Sequence, residues 1–166
     1  IDISCEARKK YVRKVLSFID VKKIRRFKIV VNCGNGAAGP TFDAIVKKLH
    51  EKGVELEIVR LNHSPDSSFP NGIPNPMLPE NQIATSREVK NSGADMGLAF
   101  DGDFDRCFFF DSEGKFVSGE YIIGFLVSLF LEREKSAKIV HDQRVIWNIL
   151  DTAQKLGGKA IVSKTG

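Results

Sequence analysis

The sequence predicts an α/β protein, and three stretches carry that prediction. Phe27 to Leu61 reads as strand, glycine turn, helix and strand. Ala94 to Ser118 reads as a strand, an acidic loop and a hairpin, and Ala137 to Ser163 repeats strand, helix, strand. A strand–helix–strand crossover within one sheet is right-handed and leaves its two strands parallel. A hairpin makes its strands antiparallel, so the expected sheet is mixed.

In chain order, Ser4 is expected to cap a helix reaching about Ile19, with Tyr11, Val15, Leu16 and Ile19 as an apolar stripe. Lys22 to Arg26 is a charged connector, and Phe27 to Cys33 is a β-branched run of central-strand type. After Gly34-Asn35-Gly36-Ala37-Ala38-Gly39, Pro40 suits a first helical position. Phe42, Ile45, Val46 and Leu49 then recur at helical spacing until Gly53, and Val54 to Leu61 supplies the second strand. Ser64 to Asn81 is a long loop rich in proline, the kind of segment that carries function or lies between domains.

Glu80 to Asn91 reads as a helix stopped by Gly93, and Ala94 to Phe100 as the strand delivering the acidic loop. Cys107–Asp111 and Lys115–Ser118 flank a turn, and Glu120–Glu134 is a strongly apolar helix. Ala137–His141 and Lys159–Ser163 are strands around a helix marked by Ile146, Ile149, Leu150 and Ala153 and halted by Gly157-Gly158. That last unit is too small to bury a core by itself. The expected organisation is residues 1–26 as a helix and linker ending an earlier domain, 27–135 as a complete domain, and 136–166 as the incomplete start of the next.

Composition, 42% apolar and 28% charged, is that of a folded globular chain and excludes disorder. The longest apolar run, Tyr121 to Leu131, is about half of a bilayer span, and no signal-peptide pattern is visible. Cys5, Cys33 and Cys107 are widely separated with no CxxC pair, which suits reduced thiols and a cytoplasmic location. Residues 1–28 hold ten Lys or Arg against three acids. A basic helix of this kind can dock on a partner or on nucleic acid, but no aromatics interleave with its charges. It reads as a solvated face, and neither nucleic acid nor membrane is expected as a partner.

The chemistry concentrates in Asp101-Gly102-Asp103-Phe104-Asp105-Arg106, at the C-terminal end of a strand, where α/β sheets place ligands. Three alternating carboxylates repel unless a cation neutralises them, and oxygen ligands suit a hard divalent ion. An EF-hand would need Gly at the sixth position and Glu at the twelfth; Arg106 and Ser112 stand there, so that reading fails. Arg106 suits a phosphate, which a guanidinium grips with two parallel hydrogen bonds. Metal plus arginine is equipment for phosphoryl transfer, whereas the plainer alternative for Arg106 is an ion pair balancing surplus carboxylate. Gly34–Gly39 fits the dinucleotide fingerprint G-x-G-x-x-G, but no acid ends the second strand at Arg60-Leu61-Asn62-His63. The glycines read instead as a turn whose backbone approaches a neighbour closely.

Several motifs in order resemble the α-D-phosphohexomutases, the phosphomannomutase/phosphoglucomutase family, and most nearly the bacterial phosphomannomutase branch that feeds GDP-mannose synthesis. They are the acidic loop, Phe69-Pro70-Asn71-Gly72-Ile73-Pro74-Asn75-Pro76, Asn32 to Gly39, His141 to Asn148, and Ser163-Lys164-Thr165-Gly166. The resemblance implies the second domain and the start of the third. It also implies an α/β/α sandwich on a four-stranded mixed sheet with one strand antiparallel. It further implies that Asp101, Asp103 and Asp105 bind Mg²⁺, that Arg106 contacts the phosphoryl group or sugar bisphosphate, and that Arg144, Thr165 and Gly166 lie by the substrate. The implied reaction interconverts mannose 6-phosphate and mannose 1-phosphate through a phosphoserine and a hexose 1,6-bisphosphate. That serine belongs to a first domain absent from this sequence, so no catalytic nucleophile is expected here and the isolated chain is expected to be inactive. The implied partners are the hexose phosphate and the remaining domains of the same enzyme. A phosphoglucomutase-type enzyme is the alternative within the family; a nucleotide-binding module and a basic-helix interaction protein are the alternatives outside it.

Overall fold

The computed structural model describes residues 2–165. The elements are α1 (Ser4–Leu16), β1 (Phe27–Asn32), α2 (Ala38–His50), β2 (Leu56–Leu61), α3 (Pro79–Ser92), β3 (Met96–Phe100), β4 (Cys107–Phe110), β5 (Phe116–Val117), α4 (Gly119–Arg133), β6 (Lys138–Asp142), α5 (Trp147–Leu156) and β7 (Lys159–Ser163). They divide into two compact units, residues up to Phe116 and residues from Val117.

In the first unit the sheet runs β2-β1-β3-β4-β5. Strand β1 is parallel to both β2 and β3, and β4 is antiparallel to β3. The expectation of four strands is corrected to five by the two-residue β5. Alternation along β1 explains the layers, because successive side chains of a strand point to opposite faces. Val30 packs with Val89, Ala94, Ala99 and Phe110 on the α3 face. Val31 packs with Cys33, Ala38 and Phe100 on the α2 face. Gly97, facing α3, is small of necessity: a Cβ there would lie 2.7 Å from Val89 Cγ2.

Helix α1 lies on α2, burying Val12 and Leu16 with Leu49 and Val54. Two expectations for it are corrected. Tyr11 and Ile19 stay exposed: α1 ends at Leu16, so Ile19 lies beyond it, and Tyr11 points away from α2 and meets the Phe104 ring edge-on at 6.4 Å. Ser4 does not cap the helix; the Asp2 carboxylate accepts the Ser4 N–H at 2.8 Å, and the helix begins at Ser4 itself. Pro40 lies in the first turn of α2, two residues beyond its start, and Pro79 opens α3. Helix α3 ends on Gly93 at φ +62, a left-handed position that glycine adopts without strain.

In the second unit β6 and β7 pair in parallel. Val127 and Leu131 of α4 are buried with Ile149 and Ala153 of α5. Helix α4 was expected to close the 27–135 domain, but its packing differs: it joins the C-terminal unit. Two glycines show why. A Cβ on Gly124 would collide with the Asn148 amide, which reaches past it to donate to Glu120 O at 2.9 Å. A Cβ on Gly158 would lie 2.6 Å from Leu131 Cδ2.

Candidate metal centre

The C-terminal ends of β1 and β3 lie side by side, since Asn32 pairs with Ala99. The glycine turn leaving β1 therefore meets the acidic loop leaving β3. Ala37 N–H, at the start of α2, donates to Gly102 O at 3.0 Å. A Cβ on Gly36 would sit 2.5 Å from that same oxygen, one on Gly34 would collide with Pro74, and one on Gly39 with His63 O. All three glycines of the fingerprint are thus accounted for by close backbone approach. Asn35 completes the junction: its carbonyl accepts from Asp66 N–H at 2.8 Å, and its side chain accepts from Asn71 Nδ2 at 2.9 Å. The proline loop is in this way fastened beside the acidic loop, with the Phe69 ring and Pro74 against Gly102.

Within the acidic loop, Phe104 turns against the alternation. It adopts φ +70, uncommon for a bulky residue, and its ring meets Phe100 edge-on at 5.0 Å. That inward anchor leaves Asp103 and Asp105 exposed on either side while Asp101 is buried. One carboxylate oxygen from each of the three lies within 4.8 Å of the others. Asp101 Oδ1 accepts the Arg106 N–H at 3.0 Å and Oδ2 accepts Arg106 Nε at 2.8 Å. Asp105 Oδ1 lies 3.4 Å from the same Nε.

The electrostatics separate the three acids. Burial works against the Asp101 charge, but hydrogen bonds from the Arg106 backbone and guanidinium outweigh it and hold its carboxyl below the ordinary range. Asp105 is pushed upward, first by its hydrogen-bonding contact with Asp101 and then by the Asp103 charge. The residues fit a divalent ion. Neighbouring oxygens on an octahedral Mg²⁺ lie about 2.9 Å apart and opposite ones about 4.2 Å, so the trio would draw together around the ion. Each Asp101 oxygen keeps a lone pair beyond the one given to Arg106, and a divalent cation would relieve the repulsion felt at Asp105.

Arg106 is at once the ion-pair partner of Asp101 and a side chain 55% exposed. The two readings of this residue are therefore compatible: Nε serves the loop, while the rest of the guanidinium faces outward.

Arg144 and Thr165 belong to the other unit, at the C-terminal ends of β6 and β7. The Arg144 guanidinium forks onto Asp142, Nε to Oδ1 at 2.9 Å and Nη2 to Oδ2 at 2.8 Å. Those bonds hold the Asp142 carboxyl down at about 2. Gln143 Nε2 reaches Thr165 Oγ1 at 3.5 Å. Gly166 lies outside the described residues.

Sequence reading missed Asp142, although its place at a strand end two residues before Arg144 was a usable signal. It also missed a chain of contacts behind the glycine turn. Asp43 takes Arg60 Nη2 at 2.8 Å and His63 Nε2 at 2.9 Å, and His63 Nδ1 lies 3.4 Å from Cys33 Sγ. Burial, then the Asp43 charge, pushes the Cys33 thiol up to about 12, so it is no nucleophile. No local pattern announces this chain, because its members come from α2, β2 and the residues just after β1 and β2.

The fold is thus a mixed α/β sheet with a carboxylate trio and an arginine at the C-terminal ends of its strands. Residues 9–114 match the family model for phosphoglucomutase/phosphomannomutase, alpha/beta/alpha domain II, and the chain belongs to that family. It is 51% identical over 156 residues to a phosphomannomutase of Vibrio cholerae, covering 94% of this chain and 34% of that protein. A phosphoglucomutase/phosphomannomutase family protein from Burkholderia thailandensis superposes with a TM-score of 0.83 at 30% identity, over 96% of this chain and 33% of the other. The N-acetylphosphoglucosamine mutase of Aspergillus fumigatus, solved with GlcNAc-6P and magnesium, superposes at 0.61 and 17% identity, over 96% of this chain and 33% of the other. The chain thus spans about a third of the length of these relatives.

Proposed function

We propose that this chain is the metal-bearing second domain, with the opening of the third, of a Mg²⁺-dependent phosphomannomutase. The enzyme would interconvert mannose 6-phosphate and mannose 1-phosphate in the cytoplasm, by way of a phosphoserine and a hexose 1,6-bisphosphate. The observation that carries this is the convergence of the Asp101, Asp103 and Asp105 oxygens beside Arg106. Asp101, Asp103 and Asp105 would hold the ion. When bound, it would supply positive charge against a phosphoryl oxygen.

Asp101, fixed by two bonds from Arg106, sets the position of the trio. Asp103 and Asp105 reach it from the exposed rim. The outward part of the Arg106 guanidinium would orient a phosphoryl oxygen by hydrogen bonding. Arg144 would meet the sugar phosphate only by exchanging its Asp142 partner for it, and Thr165 and Gly166 would lie alongside. A glucose phosphate substrate is the second reading, supported by the family's paired name. The nucleotide-binding reading is set aside, since the glycines are occupied by Pro74, Gly102 and His63.

Two experiments test the proposal. Mn²⁺ should broaden the NMR signals of residues 101–106, and Asp103→Ala should abolish the effect; unchanged broadening in the variant refutes the metal assignment. The purified 166-residue chain should not convert mannose 1-phosphate to the 6-phosphate, whereas the longer protein containing it should. Steady turnover by the chain alone refutes the division of labour between domains.

A further inference from the structure

Helices α1 and α2 leave between them a groove of about 710 Å³ that plays no part in the metal centre. Its floor is apolar, formed by Val12, Leu16 and Ala44, and its walls carry six cations against one carboxylate. That carboxylate, Glu51, is taken by Lys48 at 2.6 Å. Among the described residues, Arg8, Lys9, Arg13, Lys47 and Lys52 have no ion-pair partner, Arg8 donating only to Thr41 Oγ1. We propose that this groove binds an acidic amphipathic segment of a partner protein, with carboxylates on the cationic walls and apolar side chains over the floor.

Charge complementarity selects the occupant. Five unmatched cations around one concavity repel each other, and a segment bearing several carboxylates relieves that repulsion. Concavity and the apolar floor decide among anionic partners. No aromatic ring lines the groove, so single-stranded nucleic acid would find no stacking platform. A bilayer surface would meet the cations alone, since membrane-lying helices insert an outward apolar face, whereas Val12 and Leu16 are buried between the helices. A side chain projecting from a peptide can reach between the walls.

The probe is a short fluorescent peptide with leucines at helical spacing flanked by glutamates, titrated against the 166-residue chain by anisotropy. Arg13→Glu combined with Lys47→Glu should weaken binding by about ten-fold or more, with circular dichroism verifying the fold. The Gln versions of both substitutions should weaken it less. Lys90→Glu on α3 should leave it unchanged. Added salt should weaken it in the parent chain and much less in the double Glu variant. Unchanged binding in that variant overturns the proposal. So does equal binding of a scrambled peptide of the same composition, or stronger binding of an oligothymidine or of phosphatidylserine vesicles.

Discussion

Residues 2–116 and 117–165 use the same kinds of element and bury them to different degrees. The first stretch covers both faces of its sheet, and fourteen of the buried apolar residues belong to it; the second keeps four. Eleven of the nineteen large apolar side chains that stay exposed lie in the second, among them Phe125, Phe130, Val140, Trp147 and Val162. The buried His141 Nε2, without a hydrogen-bond partner among the described residues, lies there too. A parallel sheet needs cover on both faces. Strands β6 and β7 have helices packed against Ile139 and Ala160, while the intervening Val140 points outward. The contrast shows that strand, helix and strand make a motif, and that a second covered face makes a core.

The largest expected effects test whether the two stretches are separate in energy as well as in packing. Phe110→Ala removes a fully buried ring and should cost about 3–5 kcal/mol, and Leu131→Ala about 2–5 kcal/mol. In hydrogen exchange, Phe110→Ala should strip protection from β1 and β3 and spare β6 and β7, with Leu131→Ala doing the reverse. Loss of protection everywhere in both variants would break the comparison. Gly36→Ala comes next. Its Cβ would press on Gly102 O, for about 1–3 kcal/mol by denaturant titration, with weaker Mn²⁺ broadening at residues 101–106.

Arg144→Ala should have the smallest effect on stability, since the pair it breaks is exposed. Its signature is a titration. The Asp142 carboxyl, held at about 2, should rise toward its ordinary 3.8 in a carbon-13 NMR titration. A depressed carboxyl contributes stability above its unfolded pKa and loses it as pH falls through the folded one. The pair therefore acts fully above about 3.8 and fades toward about 2. An Asp142 that titrates unchanged in the variant would show that Arg144 does not hold it.

Much of the fold was legible because the signals are local. Val30 and Val31 announced a central strand, Gly93 and Gly157 announced helix ends, and the alternation of Asp101, Asp103 and Asp105 announced carboxylates that come together. What escaped depends on distant partners. Nothing around Gly124 says that Asn148 will lie against it, so the packing of α4 on α5 is not legible locally. Tyr11 looked like core because helical spacing gives direction but not the width of the buried face. Nothing local marks Phe104, which stands between two acids; only the Phe100 ring makes it the anchor.

The hydrogen bond from Ala37 to Gly102 joins points 65 residues apart along the chain. That bond braces the loop of the carboxylates against the end of β1, so an ion held there would favour the assembled sheet over looser states. By mass action, such a ligand at about a hundred times its dissociation constant adds about 2.7 kcal/mol. On the proposed reading the acidic loop would be a clasp as well as a site: whatever loosens the centre of the sheet should be felt first as a weaker hold on added Mn²⁺.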